Sequence, residues 1–156
     1  MYTVRLATPT DATAVSALVL SLVGDMLVDP EGEEAQRFYA SMSPSELAKY
    51  MEMPTRFYAV AEVDGQVQGM IMVRNDNYIG QFFVNHAHQG KGMGSALWKF
   101  ALAHAGQFHG SGQFTGNSSL AAVPVYSRLG FVASGAPEVA SGFRFLPMRR
   151  EASGAA

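Results

Sequence analysis

The sequence contains no cysteine, and this absence removes two kinds of site. Without cysteine the chain forms neither a disulfide nor a thiolate zinc site, and its composition suits a reducing cytoplasm. No uninterrupted apolar run is long enough to span a bilayer, and the N-terminal residues lack the layout of a secretory signal. A net charge of −2 argues against general nucleic-acid binding. We therefore expect a cytoplasmic protein whose partners include neither a membrane nor a nucleic acid.

Acidic residues are missing from a long stretch in the middle of the chain. Residues 77–137 hold no Asp or Glu, three Lys or Arg and all four histidines. Residues 1–76 hold eleven acids and only five Lys or Arg. The acid-free part suits an anionic ligand and the acid-rich part suits a cationic partner, although a solvated acidic face explains any single acid equally well.

The length and the hydrophobic pattern are typical of one folded domain. With 156 residues, 48% of them hydrophobic, the chain can bury a sizeable core. We expect a single domain over residues 1–150 and a frayed tail over residues 151–156. Strands are predicted over residues 4–7, 56–63, 67–74, 78–84, 113–115, 131–133 and 143–148, and helices over 12–23, 33–42, 43–51, 95–105 and 118–129. Thr8 and Asp11 are placed for a capping box at the first helix, and Asp64–Gly65 predicts a hairpin turn. This order predicts an α/β (α+β) fold in which helices flank a mixed sheet.

The most informative run is Gln89–Gly94, which holds three glycines at alternate positions around one lysine. A strand-like segment, Gln81–Val84, precedes the run, and a helix-like segment, Ser95–Ala103, follows it. Glycines let backbone N–H groups approach an anion, and a helix N-terminus adds a positive dipole end. The run therefore predicts a phosphate-binding loop, with a plain glycine-rich turn as the simpler alternative.

Two better-known phosphate loops do not match this run. A P-loop requires Ser or Thr directly after its lysine, whereas Lys91 is followed by Gly92. The dinucleotide fingerprint requires a third glycine where this chain has Ser95 or Leu97, and an acidic residue about 20 positions further on. Nucleoside-triphosphate hydrolysis and nicotinamide chemistry both lose support.

Two motifs in this order resemble those of the GCN5-related N-acetyltransferases. The family's cofactor motif, Gln/Arg-x-x-Gly-x-Gly/Ala between a strand and a helix, is matched by Gln89–Gly94. Its later motif, an Asn that ends a strand and then a helix that ends in Tyr-x-x-x-Gly-Phe, is matched by Asn117 and Tyr126–Phe131. The opening Arg5–Ala12 is also similar. The resemblance covers nearly the whole chain and implies a mostly antiparallel sheet of about seven strands, with the fourth and fifth strands splayed apart.

The resemblance implies an N-acetyltransferase that passes an acyl group from acetyl-CoA directly to a primary amine. It implies that a backbone N–H at Val84 polarises the thioester carbonyl and that Tyr126 is the general acid for the departing thiolate. The strand before the loop would pair with the pantetheine arm as an added strand does. The implied cofactor-binding residues are Phe82, Phe83, Val84, Gln89, Gly90, Lys91, Gly92, Met93, Gly94, Ser95, Asn117 and Tyr126. No metal is expected.

Several roles stay open at this stage. Tyr126 can be a core residue, Asn117 can be a helix N-cap, and Lys91 can point to water. The position at which many relatives carry a base is occupied by Tyr78, so we expect Asp76 or Glu62 to serve through ordered water. His86 and His88 are interpreted as loop residues rather than metal ligands.

The acceptor is the least specified partner. A small-molecule or peptide amine is expected to enter near the first two helices and the Ser134–Gly142 loop. The acid-rich segment Asp25–Glu34 favours a cationic amine. A homodimer is common in the family. A non-catalytic acyl-CoA-binding or sensing domain, and a different phosphate-binding protein, are the alternative functions.

Overall fold

A mixed sheet of eight strands forms the middle of the protein. The structure is a computed structural model that describes residues 1–105 and 113–151, apart from the side chain of Ala105, so residues 152–156 of the predicted tail lie outside it. The strands are β1 Thr3–Leu6, β2 Arg56–Val63, β3 Gln66–Arg74, β4 Tyr78–Val84, β5 Phe114–Ser118, β6 Val132–Ala133, β7 Glu138–Ala140 and β8 Phe143–Arg150. The helices are α1 Ala12–Leu22, α2 Glu33–Ser41, α3 Pro44–Met51, α4 Met93–Ala105 and α5 Val123–Arg128. Short 3-10 turns cover Pro9–Asp11, Val23–Met26, His86–His88 and Leu120–Ala122.

The sheet is antiparallel except at one pair of strands. Its order is β1-β2-β3-β4-β5-β8-β6, and β7 pairs with β8. Among the strand pairs of the described residues, only β4 and β5 run parallel. The predicted mixed, mostly antiparallel sheet is thereby confirmed, with eight strands in place of about seven.

The additional strand, β7, lies in a segment for which the sequence predicts only a loop. Ser141 and Gly142, with φ of 52° and 85°, form the two-residue turn that joins β7 to β8. Asp64 and Gly65, with φ of 52° and 78°, form the same kind of turn between β2 and β3, where the sequence predicts it. The sequence does not predict β7 because its three residues are exposed and show no hydrophobic alternation.

The helix predicted from residue 118 is wrong in its first half. Ser118 belongs to β5, and the Ser119 side chain accepts a hydrogen bond from the Ala122 N–H at 3.2 Å, which caps a 3-10 turn. The α-helix begins only at Val123, because Pro124 has no N–H to donate and fits only the first turn of a helix.

Strands β4 and β5 pair over two residues and then separate. Tyr78 pairs with Thr115 and Ile79 pairs with Gly116, and no further pair joins these strands. On its other side β4 carries a bulge at Gly80, because Ile79 and Gln81 pair with adjacent residues of β3. A bulge bends its strand and increases the twist, which fits the separation. The predicted splay is present, and it leaves an opening in the middle of the sheet.

Hydrophobic clusters on the two faces of the sheet fix the helices around this opening. Trp98, Phe114 and Phe131 are buried in the cluster beneath α4 and α5. A second cluster holds α1 and α3 against the opposite face. The absence of a side chain at Gly69 lets α4 lie directly on β3, since a Cβ there would lie 3.0 Å from Leu97. This packing fixes the N-terminus of α4 beside the end of β4.

An ion-pair network fixes the start of α1. Arg5 donates hydrogen bonds to both carboxylate oxygens of Asp11 and to Glu62, each at 2.8 Å. The Thr8 N–H donates to the Asp11 carboxylate at 2.8 Å, which completes the predicted capping box. Hydrogen bonding to the Arg5 guanidinium holds the pKa of Asp11 below its usual range. The network therefore stabilises the ionised carboxylate.

Replacing Asp11 with Asn should lower the free energy of unfolding by about 1 to 2 kcal/mol at neutral pH. Because the folded-state pKa lies below the unfolded value, the stabilisation is present above about pH 4 and is lost as the pH falls through the folded pKa. Urea unfolding of both proteins at about pH 7 and about pH 3 should show a difference that shrinks at the lower pH. A difference that is independent of pH would contradict a role for the ion pair. Asp76→Asn, at an exposed pair, is the control.

Candidate active site

The glycine run forms a loop between β4 and α4, as the sequence predicts. Gly90 and Gly92 have φ of 75° and 90°, a conformation that side-chain-bearing residues rarely adopt. The loop ends where α4 begins, at Met93. None of the N–H groups of residues 90–95 makes a well-aligned hydrogen bond with a described residue. A row of free donors thus lies at the positive end of a helix, an arrangement that binds phosphate.

The side chain of Gln89 ties this loop to the preceding strand. Its Nε2 donates a hydrogen bond to the backbone carbonyl oxygen of Val84 at 2.8 Å. This bond links the first residue of the glycine run to the last residue of β4. Gln89 therefore holds the free N–H groups of the loop in place relative to the strand edge.

Replacing Gln89 with Ala should raise the Kd for acetyl-CoA about five- to tenfold, because the lost hydrogen bond is worth about 1 kcal/mol and the loop is no longer tied to β4. Isothermal titration calorimetry measures this change. Gln36→Ala, on the exposed side of α2, is the matched control and should leave the Kd unchanged. An unchanged Kd in the Gln89 variant would show that the bond does not position the loop.

The edge of β4 that faces β5 is open beyond the second residue of the strand. On the opposite edge, the Asn85 N–H donates to the Gln68 carbonyl oxygen of the β3 side at 2.8 Å. Backbone groups alternate in direction along an antiparallel pair, so the N–H groups of Phe82 and Val84 point away from β3. They lie on the open edge, where no strand within the described residues pairs with them.

A cavity of about 940 Å³ runs along this open edge. Phe82 and Val84 pack with the cluster beneath α4, whereas Phe83 packs with the clusters on the other face, and all three line the cavity. The cavity therefore reaches both faces of the sheet. Its other lining residues are Leu22, Asp25, Met26, His86, Gln89, Gly90, Gly92, Gly94, Ser95, Ser119, Leu120, Ala121, Ala122, Val125, Tyr126, Arg128, Leu129 and Arg144.

Tyr126 lines the cavity from α5 and is otherwise buried, with 6% of its surface exposed. Its ring packs edge-on against Phe82 and Phe131, with ring centroids 5.9 and 5.3 Å away. Burial raises the pKa of the Tyr126 phenol, and the nearby Tyr78 raises it further. The hydroxyl has no hydrogen-bond partner within the described residues. A protonated phenol is thus an available donor at the cavity wall.

Three of the predicted cofactor-binding residues do not line the cavity. Met93 is buried beneath α4 with 1% of its surface exposed, so only its backbone can face a ligand. Lys91 is exposed on the loop. Asn117 donates a hydrogen bond to the Tyr78 hydroxyl at 3.0 Å and so links β5 to β4 where they separate. The N-cap alternative for Asn117 is wrong, because Ser119 occupies that position.

Neither carboxylate that the sequence offers as a base lies at the cavity. Glu62 is bonded to Arg5, and Asp76 forms an exposed ion pair with Arg74 at 3.2 Å. Asp25 lines the cavity instead, from the 3-10 turn after α1. The structure therefore brings a different carboxylate to the open edge of β4.

Asp25, His86 and Arg144 are cavity residues that sequence reasoning does not place there. Spacing along the chain cannot show that Leu27 forms a bridge with Phe143, which brings the turn after α1 to β8. The position of His86, two residues after the end of β4, is the one available signal, but it does not show which way the residue faces.

Within the described ranges, no three His, Cys, Asp or Glu side chains are grouped so that they could hold a metal ion. Over residues 1–105 and 113–151, no helix has the length and apolar character needed to cross a membrane.

A family model described as the acetyltransferase (GNAT) domain matches residues 26–152. The chain belongs to this family. Its fold is similar to that of PaiA N-acetyltransferase from Thermoplasma acidophilum in complex with coenzyme A, at 13% identity over 97% of this chain and 99% of that one, with a TM-score of 0.78. Similar too is yncA from Salmonella typhimurium with its cofactor acetyl-CoA, at 19% identity over 100% and 96% of the two chains, with a TM-score of 0.70. No curated protein matches the chain.

As a GNAT protein, the chain is an acyl-CoA-dependent N-acetyltransferase, and acetyl-CoA is its co-substrate. The residues of this acetyltransferase fit that ligand. The free N–H groups of the glycine loop suit a pyrophosphate, and the open edge of β4 suits the amide groups of a pantetheine arm. Gly94 leaves space between α4 and that edge, since a Cβ there would approach nothing closer than 3.8 Å.

Proposed function

We propose that this acetyltransferase acetylates the primary amine of a small molecule or a peptide by direct attack of the amine. The observation that carries the proposal is the single cavity that joins both faces of the sheet along β4. Two substrates can therefore meet at the same strand edge from opposite sides. No covalent intermediate on a side chain is needed, and the residues that line the cavity include no cysteine.

Different residues of the chain would have separate roles in the acetyl transfer. When bound, acetyl-CoA supplies an acetyl thioester, so that transfer to a neutral amine forms a C–N bond, breaks a C–S bond and moves one proton to sulfur. The glycine loop would hold the pyrophosphate through its N–H groups. The Val84 N–H, on the open edge, would donate to the carbonyl oxygen. Tyr126, kept protonated by its raised pKa, would donate its proton to the sulfur.

An assay of thiol release tests this proposal. The purified full chain is incubated with acetyl-CoA and a panel of primary amines grouped by charge, and thermal shift with acetyl-CoA is recorded in parallel. We expect a thermal shift and thiol release with at least one group of amines. A shift without release on any amine would favour the acyl-CoA-sensing alternative, and no shift would contradict the assignment of the glycine loop.

Other sequence-based predictions stay predictions. They are the single domain over residues 1–150, the cytoplasmic location and the homodimer.

A further inference from the structure

Opposite charges line the end of the cavity that lies between α1 and β8. Asp25 belongs to the 3-10 turn after α1, and Arg144 belongs to β8. Between them, Leu27 forms an antiparallel bridge with Phe143. Asp25 precedes this bridge in one segment and Arg144 follows it in the other, so both charges lie on the same side of the bridge. Their positions are fixed by backbone pairing.

Neither of these charges forms an ion pair with a residue that the structure describes. Arg144 makes one hydrogen bond within the described residues, from Nη1 to the Leu27 carbonyl oxygen at 3.4 Å, beyond the usual range. Asp25 makes no ion pair or hydrogen bond with any residue that the structure describes. A guanidinium has five N–H donors, so most of the donors of Arg144 are available to a ligand. By contrast, Arg149 of the same strand pairs with Glu151 at 3.1 Å, away from the cavity.

The acid-rich segment contributes little negative charge to this end of the cavity. Of the acids from Asp25 to Glu34, only Asp25 lines it. Arg144 therefore balances the one carboxylate present. The remaining charged lining residue, Arg128, lies on α5. A balanced pair of charges does not select a polycation, which the sequence alone favours.

We infer that the acceptor is a small amine that also carries an anionic group, such as a carboxylate, a phosphonate or a phosphate. This inference rests on the proposed function. Asp25 would hold the ammonium group, which passes one proton to water before its nitrogen attacks. Arg144 would bind the anion through parallel N–H donors, the geometry that guanidinium groups favour with such anions. A polyamine would place a second cation against Arg144 and would be disfavoured by repulsion.

Matched pairs of amines test the inference with the full chain and acetyl-CoA. Each pair consists of an amino acid and its primary amide, or an aminoalkyl phosphonate and the amine that lacks the phosphonate; spermidine is the cationic probe. We expect kcat/KM for the anionic member to exceed that for its neutral partner by about tenfold or more. Spermidine should be the poorest substrate. If the neutral members or spermidine react as fast as the anionic ones, the inference fails while the proposed function stands.

Variants identify the residues responsible. Arg144→Gln should raise the KM for the anionic member of each pair, so that kcat/KM becomes about equal for the two members. The KM for acetyl-CoA should stay unchanged. Asp25→Asn should lower kcat/KM for both members of a pair alike, and Arg149→Gln should change neither. A raised KM for acetyl-CoA with a preserved preference would show that Arg144 binds the co-substrate, which overturns the inference. If no amine of either class is acetylated although acetyl-CoA binds, the proposed function and the inference fail together.

Discussion

Replacing Tyr126 with Phe should lower kcat about 100-fold, equivalent to about 2.7 kcal/mol of barrier, with the Kd for acetyl-CoA within about twofold of the wild-type value. The variant removes only the hydroxyl. The contacts of the ring with Phe82 and Phe131, at centroid distances of 5.9 and 5.3 Å, stay available. Because burial raises the pKa of Tyr126, the wild-type phenol is a proton donor throughout the neutral range. Single-turnover kinetics and calorimetry measure the two quantities.

The matched control for this variant is Tyr78→Phe. Tyr78 is a second phenol near the opening, but it is bonded to Asn117 at 3.0 Å and does not line the cavity. Its loss should change kcat only slightly. If Tyr126→Phe keeps the wild-type kcat and only lowers the unfolding temperature, Tyr126 is a core residue that packs α5 on the sheet. Equal losses of kcat in both variants would indicate that the two phenols maintain the separation of β4 and β5, and that Tyr126 is not the proton donor.

Replacing Gly94 with Val should weaken acetyl-CoA binding about 100-fold, equivalent to about 2.7 kcal/mol, by filling the space that the ligand needs. Gly94 is the second residue of α4 and lines the cavity. A Cβ there would lie 3.8 Å from Phe82 and 3.9 Å from Val84, which are ordinary contacts, so the fold itself accepts a side chain. The branched side chain would instead occupy the gap between the free N–H groups of the loop and the open edge of β4.

Calorimetry with acetyl-CoA and urea unfolding separate the two effects expected at Gly94. The free energy of unfolding should change little, whereas the Kd should rise strongly. Ala96→Val introduces the same branched side chain on the same turn of α4 at a position that does not line the cavity, and it should leave the Kd within about twofold. Unchanged binding in Gly94→Val would place the ligand away from the glycine loop.

Much of the fold was predictable because its signals are local. The bounds of β2 and β4 are those that alternation predicts, and the Thr8–Asp11 capping box forms as expected. The splay between β4 and β5 was predicted only through the family resemblance, since a failure of two strands to pair has no local sequence signal. The β7 strand was missed for the same kind of reason: its pairing with β8 supplies what its own residues do not.

The candidate site likewise has one part that local sequence signals predict and another that depends on tertiary contacts. The glycine loop and Tyr126 are found together at one cavity, because both belong to motifs whose strand and helix contexts can be read from the sequence. The predicted bases, Glu62 and Asp76, are not at the cavity, and each forms an ion pair with an arginine. The sequence does not show which carboxylate an arginine side chain will reach. Charge counts cannot reveal such pairing, which depends on distances of a few ångströms.

The sequence by itself determined the family, the glycine loop, the phenol and, apart from β7, the order of strands and helices. Spacing and residue type specify backbone conformation over a few residues at a time. Only the tertiary structure decided which charges reach the cavity. The bridge between Leu27 and Phe143 joins segments that lie far apart in the chain, and it places Asp25 and Arg144 together while the neighbouring acids stay outside. Contacts between distant segments depend on how the whole sheet and its helices pack, and no local pattern records that packing.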